Sequence, residues 1–265
     1  AMLNALVAGE TDPHRLAGIL QPIRVASAAP DKAILLNAPT VGIWWLAFYL
    51  RGLEQAMVDL GLQPELTEAL AERITDWYVA MWDAVLAQVG DAIDVVQMEG
   101  DLGDQRGPLF SPDLFRRLFK PRFRRIVDAI RRRTSARLLL HACGSVAWAI
   151  PDLIDVGVDI LNPVQVNAAG METARLKREF GRHISFWGGG CDTGILQRGS
   201  PAEVINPKLP LFNAETGLFS WTRLKTLNAS ARNCTCRLPP RRNDRTNPMS
   251  TLNRLGPTRL LLTRL

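Results

Sequence analysis

The stretch Ala136-Arg-Leu-Leu-Leu-His-Ala-Cys-Gly144 has the pattern of a buried strand that ends in an imidazole, a thiol and a glycine. Alternate residues of a strand point to the same side, so His141 and Cys143 can face one centre. A nitrogen donor and a sulfur donor placed in this way make half of a zinc site. Cys191 follows another apolar run and is the candidate third ligand.

Strand-like and helix-like segments alternate along the chain from residue 32 to 204. Short apolar runs predict five strands, at 32–36, 92–98, 136–141, 158–162 and 184–188. Helical periodicity, N-cap residues and prolines predict helices at 43–60, 64–89, 111–133, 146–156 and 171–180, and one more that begins at 201. This alternation is typical of a parallel sheet with crossover helices.

Polar residues and glycines follow the predicted strands. Their convergence at the carboxyl ends of strands is what the active site of a (β/α)8 TIM barrel requires, although a doubly wound sheet also binds ligands there. No G-x-G-x-x-G or Walker motif is present, which argues against nucleotide binding. Asp101 is the candidate catalytic residue, as a general base or as a ligand, and the candidate substrate-binding residues are Glu99, Gln105, Asn162, Gln165 and Gly189.

The net charge of +6 is unevenly distributed. Residues 1–204 hold 21 lysines and arginines against 24 acidic residues, whereas residues 205–265 hold 11 against 2. The body of the chain is therefore mildly acidic, and nucleic acid is not an expected partner. The basic helix between Arg116 and Arg133 is interpreted as a solvated outer face whose charge is balanced by acids elsewhere.

The apolar runs, the N-terminal residues and the cysteines indicate where in the cell the protein is expected. No run of eighteen uncharged apolar residues is present, and the N-terminal residues lack the order of a signal peptide, so neither a membrane span nor secretion is expected. Four cysteines in 265 residues do not form a disulfide framework. We expect a cytoplasmic protein.

Five stretches, taken in order, resemble the uroporphyrinogen decarboxylase superfamily. They are Asp101–Pro108, Leu139–Val146, Ile150–Ile154, Gly157–Gln165 and Phe186–Asp192. The resemblance covers about residues 32–204, is strongest over 100–204, and is closest to the branch of cobalamin-dependent methyltransferases. It implies a (β/α)8 barrel with its site at the carboxyl ends of the strands.

The methyltransferase branch implies zinc and a corrinoid. In that branch a His-x-Cys pair and a later cysteine bind zinc, which holds an acceptor thiol as the nucleophilic thiolate. Carried over to this chain, His141 and Cys143 match the pair. The later cysteine of the family lies near the last strand, where this chain has no matching segment, and Cys191 is the candidate substitute for it. The methyl donor would be a methyl-corrinoid on a partner protein.

Two other functions stay open at this point. The decarboxylase branch needs no metal and acts on a tetrapyrrole in porphyrin biosynthesis, with Asp101 or Glu99 as the acidic residue, but its arginine-rich N-terminal motif is absent here. The third possibility is an inactive barrel fragment whose basic tail binds polyanions.

The resemblance does not extend over the whole chain. Five strands are predicted where a closed barrel has eight. Residues 1–204 are therefore interpreted as a partial barrel. Residues 205–265 lack sustained periodicity and are interpreted as a basic tail that is disordered or not homologous to the family.

Overall fold

The computed structural model describes residues 32–38, 41–189, 192–200, 212–213, 218–219 and 259–264. Its strands are β1 (Lys32–Asn37), β2 (Val95–Glu99), β3 (Arg137–His141), β4 (Ile160–Asn162), β5 (Ser185–Phe186), β6 (Phe212–Asn213), β7 (Leu218–Phe219) and β8 (Arg259–Arg264). Its α-helices are α1 (Ile43–Arg51), α2 (Leu53–Leu62), α3 (Pro64–Val89), α4 (Pro112–Leu114), α5 (Lys120–Arg133), α6 (Ile150–Val156), α7 (Thr173–Phe180) and α8 (Thr193–Arg198).

The main sheet is parallel and has the order β5-β4-β3-β2-β1-β8. All five predicted strands are present in it. Consecutive strands from β1 to β5 are neighbours and are linked by helices, as in the wall of a (β/α)8 barrel. The five-strand α/β arrangement is therefore confirmed.

The two faces of this sheet are packed differently. Ile34 and Leu36 belong to the large core that the helices cover. Leu35, between them, belongs to a small cluster on the opposite face with Val95, Leu139 and Ile160. Within the described residues the helices pack on one face alone, which favours an open barrel wall over a doubly wound sheet.

The helix α8 was not predicted, and α6 begins four residues later than predicted. Two further helices differ in their internal structure. The segment predicted as one helix at 43–60 is divided at Gly52, whose φ of 81° places it in the left-handed region. The helix that begins with Ser111 as N-cap and Pro112 contains a π-helical turn, Phe115–Phe119, directly before α5. A π turn changes the hydrogen-bond register of a helix. This one ends two residues before Pro121, a residue type that kinks helices.

The basic helix α5 is neutralised by acidic residues of its neighbours. Arg125 pairs with Asp76 at 2.6 Å, and Arg133 pairs with Asp83 at 2.7 Å. Both aspartates are on α3. Lys120 pairs with Asp152 of α6 at 2.7 Å. The interpretation of α5 as a charge-balanced outer face agrees with these pairs.

The C-terminal segment supplies a strand that periodicity did not predict. β8 pairs in parallel with β1, and Leu35 lies opposite Leu262. Its central Leu-Leu-Leu run fits the fully apolar pattern of a strand in a parallel sheet. Most of residues 205–265 lie outside the described residues, as does the helix predicted from 201. Within the described residues no helix is long and apolar enough to cross a membrane.

Candidate metal centre

The register of the parallel strands aligns three polar residues at the carboxyl edge of the sheet. Glu99 at the end of β2 lies opposite His141 at the end of β3, and His141 lies opposite Asn162 at the end of β4. Each residue follows an apolar strand that is anchored in the core. The edge of the sheet therefore holds an acid, an imidazole and an amide in one row.

Cys143 and Asp101 complete a group of three donors with His141. The Cys143 Sγ lies 3.4 Å from His141 Nε2. One donor atom each of Asp101, His141 and Cys143 lies within 4.8 Å of the other two. Asp101 also accepts a 2.7 Å hydrogen bond at Oδ1 from the backbone N–H of Cys143, which joins the loops after β2 and β3.

The orientation of the His141 ring is set by Asn162. The Asn162 Nδ2 donates to the Trp187 carbonyl at 2.8 Å, so its Oδ1 faces His141 Nδ1 at 2.7 Å. An amide oxygen accepts only, so Nδ1 carries the proton and donates it to Asn162. The Nε2 lone pair is then directed to Cys143, which is the arrangement that metal-binding histidines have in proteins.

The loop after β3 is held by backbone contacts around Gly144. Gly144 has a φ of 79°, in the region that favours glycine. Its N–H donates to Gln165 Oε1 at 2.8 Å, and the next N–H, of Ser145, donates to the Asp104 carbonyl at 2.7 Å. Three loops are thereby fixed around the donor group.

The environment of Cys143 disfavours a bare thiolate. Burial raises the pKa of this thiol to about 12, and the negative charges of Asp101 and Glu99 contribute in the same direction. A raised pKa means that the neutral thiol persists well above neutral pH. A bound cation would reverse this effect, because metal coordination deprotonates a thiol.

We expect slow alkylation of Cys143 in metal-free protein. At pH 8 the folded thiol should hold roughly a thousandth of the thiolate of an unperturbed cysteine, and its rate with iodoacetamide should rise with pH toward about 12. Timed labelling in EDTA, followed by mass spectrometry of the Cys143 peptide, measures this rate. The same peptide in denatured protein is the control, and equal rates at pH 8 would contradict the assigned environment.

The three donors fit a divalent metal of the zinc type. Imidazole nitrogen, thiolate sulfur and carboxylate oxygen are all zinc ligands. Catalytic zinc sites commonly use three protein ligands and keep a fourth position for water or substrate. The second-sphere bond from His141 to Asn162 is the one that such sites use to fix the tautomer.

The other predicted residues have varied positions. Glu99 accepts a hydrogen bond from Gln97 Nε2 at 2.7 Å, and Gln165 holds the Gly144 loop. Gln105 has an exposed side chain, and its carbonyl accepts from the Ala169 N–H at 2.9 Å. The Gly189 N–H donates to the Pro163 carbonyl at 2.9 Å. Cys191 lies outside the described residues.

One role was missed by the sequence analysis. Asn162 was predicted to contact substrate, whereas its side-chain hydrogen bonds go to His141 and to the Trp187 carbonyl. Asp101 was predicted as a general base or a ligand, and the structure places it in the donor group. The signal for Asn162 was a polar residue at the end of the neighbouring strand, in the same register row as His141. Nothing in the spacing indicated that Asp101 would contact Cys143.

Comparison with known proteins agrees with this architecture. The family model for uroporphyrinogen decarboxylase (URO-D) matches residues 3–207. A methyltransferase from Methanosarcina mazei has a similar fold, with a TM-score of 0.52 and 22% sequence identity over 64% of this chain and 47% of that chain. This chain thus corresponds to about half the length of that structure. No curated protein matches the sequence significantly. Because the family model spans most of its length, the chain belongs to the uroporphyrinogen decarboxylase (URO-D) family.

Proposed function

We propose that this URO-D family protein is an enzyme that transfers a methyl group to a thiol at a zinc centre. The observation that carries the proposal is the convergence of Asp101, His141 and Cys143 at the carboxyl ends of the strands. Two of these donors are the His-x-Cys pair that the resemblance to the cobalamin-dependent methyltransferases implies. Cys191 remains a predicted additional ligand.

Zinc, when bound, would supply the positive charge that keeps an acceptor thiol deprotonated at neutral pH. The protein's own contribution is orientation. Asn162 holds the Nδ1–H of His141, so Nε2 stays available as a donor throughout. Asp101 holds the Cys143 backbone N–H, so the Sγ keeps its place beside the imidazole.

The reaction is a displacement at carbon. The thiol proton leaves to solvent, and a sulfur electron pair forms the new S–C bond to the methyl group. The bond between the methyl group and its donor breaks, and its electron pair stays on the donor. We propose a methyl-corrinoid as donor, carried by a partner protein that docks over the carboxyl edge of the sheet.

The proposed setting is the cytoplasm, where thiols stay reduced. Cys143 can bind zinc only if it forms no disulfide, and it is a free cysteine in the structure. A small soluble thiol is the acceptor class that this compartment supplies.

An assay with two substrates tests the proposal. Zinc-loaded protein is mixed with methylcobalamin and a panel of small thiols, and thioether formation is followed by mass spectrometry. We expect a zinc-dependent product that His141→Ala abolishes and His183→Ala, at an exposed position, leaves intact. Decarboxylation of uroporphyrinogen by metal-free protein would instead show the decarboxylase chemistry. If the folded protein forms neither product, the result would support the third possibility, an inactive barrel fragment.

A further inference from the structure

A cavity of about 200 Å³ lies beside the metal centre, between the start of α1 and the end of β2. Its lining residues are Val41, Trp45, Tyr49, Glu99, Gly100 and Asp101. Asp101 belongs both to this lining and to the donor group with His141 and Cys143. The cavity and the donor group are therefore adjacent.

One wall of the cavity is aromatic. Trp45 and Tyr49 are four residues apart on α1, so their side chains lie on the same face of the helix. Tyr49 lines the cavity and is 68% exposed, which is unusual for a large ring with an apolar body. Aromatic faces carry partial negative charge and attract cations, with a free energy of about 0.5–2 kcal/mol per contact.

A second wall is acidic. Glu99 and Asp101 place two carboxylates in the lining, and neither forms an ion pair with any basic residue in the described part of the chain. The hydrogen bond that Glu99 accepts comes from the neutral side chain of Gln97. An anionic ligand group would be repelled here, whereas a cation would meet both carboxylates and the rings.

The position of α1 over this strand end depends on Gly42. A Cβ at Gly42 would lie 2.3 Å from the Glu99 carbonyl oxygen and 2.9 Å from the Gly100 Cα. The missing side chain lets the start of α1 sit directly on the backbone of Glu99 and Gly100. The helix that carries the aromatic wall therefore contacts the strand end that carries the acidic wall at Gly42, where there is no room for a side chain.

We infer that this cavity binds the ammonium group of a small aminothiol, whose sulfur reaches the metal centre on the far side of Asp101. The position of the sulfur at the metal centre rests on the proposed function. The binding of the ammonium group rests on the residues that line the cavity. It makes the acceptor a cationic thiol rather than an acidic one. Glu99, Trp45 and Tyr49 are then specificity-determining residues.

Competition among matched thiols tests the inference. The zinc-loaded 265-residue chain is titrated with cysteamine, 2-mercaptoethanol and 3-mercaptopropionate, which carry a positive, a neutral and a negative group. We expect cysteamine to bind at least about tenfold more tightly than 2-mercaptoethanol, with 3-mercaptopropionate weakest. Glu99→Gln and Trp45→Leu should each reduce the cysteamine preference severalfold. Glu54→Gln, at an exposed position on α2 outside the cavity, should leave it unchanged.

A second arm separates the cavity from the zinc site. Metal-free protein is mixed with ethylammonium or with propionate, neither of which carries a thiol, and binding is read by saturation-transfer NMR. Ethylammonium binding that Glu99→Gln removes supports the cavity even if no zinc is bound and the proposed function fails. Equal binding of propionate, or a cysteamine preference that survives both substitutions, overturns the inference.

Discussion

Replacing His141 with alanine is expected to weaken zinc binding by at least about 100-fold. The imidazole is one of three donors whose ligand atoms lie within 4.8 Å of one another. Loss of a hydrogen-bonding partner behind a ligand already costs about 10–100-fold in metal affinity, and loss of the ligand itself costs no less. Competition with a chromophoric chelator measures the affinity. Cys143→Ser should show a loss of similar size.

The control for this substitution is His183→Ala. His183 has an exposed side chain and lies outside the donor group, so its removal should leave zinc affinity unchanged. Circular dichroism of each variant separates loss of the ligand from loss of the fold. A folded His141→Ala protein with the affinity of the parent would show that the imidazole is not a ligand.

Replacing Gly144 with alanine is expected to destabilise the protein by about 2–5 kcal/mol. A residue with a side chain at a φ of 79° costs about 1–2 kcal/mol. The new Cβ would also lie 2.5 Å from the Gly103 carbonyl oxygen and 2.6 Å from that of Asp104, and overpacking adds about 1–3 kcal/mol. The loops after β2 and β3 would have to separate, so zinc affinity should fall together with the free energy of unfolding.

Gly107→Ala is the matched control, in the loop after β2. A Cβ there would meet no atom within 4 Å, and Gly107 is not among the glycines with positive φ. Its effect should stay within about 0.5 kcal/mol in urea denaturation. Equal stability of the two variants would contradict the close packing of the loops at Gly144.

The strand order and the place of His141 and Cys143 could be predicted because both follow from local pattern. Apolar runs identify buried strands, and parallel strands direct their carboxyl ends to one edge. The division at Gly52 was harder to predict, because a single glycine inside a periodic segment is often tolerated within one helix. β8 is a short apolar run in a region without other periodicity, where a strand pattern alone is ambiguous.

The assembly of the candidate metal centre could be predicted only in part. Asp101 and Cys143 are 42 residues apart, and their contact depends on loop conformations that hydrophobic periodicity does not describe. The roles of Asn162 and the Trp187 carbonyl depend on strand register. The carbonyl accepts a hydrogen bond from Asn162 Nδ2, and Asn162 Oδ1 then accepts one from His141 Nδ1. Register is set by the folded sheet as a whole rather than by any one segment.

The zinc content of the folded 265-residue chain shows whether Asp101, His141 and Cys143 hold a metal. After dialysis against micromolar zinc and removal of excess metal, we expect about one zinc per chain, with sulfur and nitrogen or oxygen neighbours in X-ray absorption. Substitution with cobalt(II) should give the absorption of a thiolate-bound ion, which Cys143→Ser removes. A protein that is folded by circular dichroism and retains no metal under these conditions would show that these three residues do not form a zinc site.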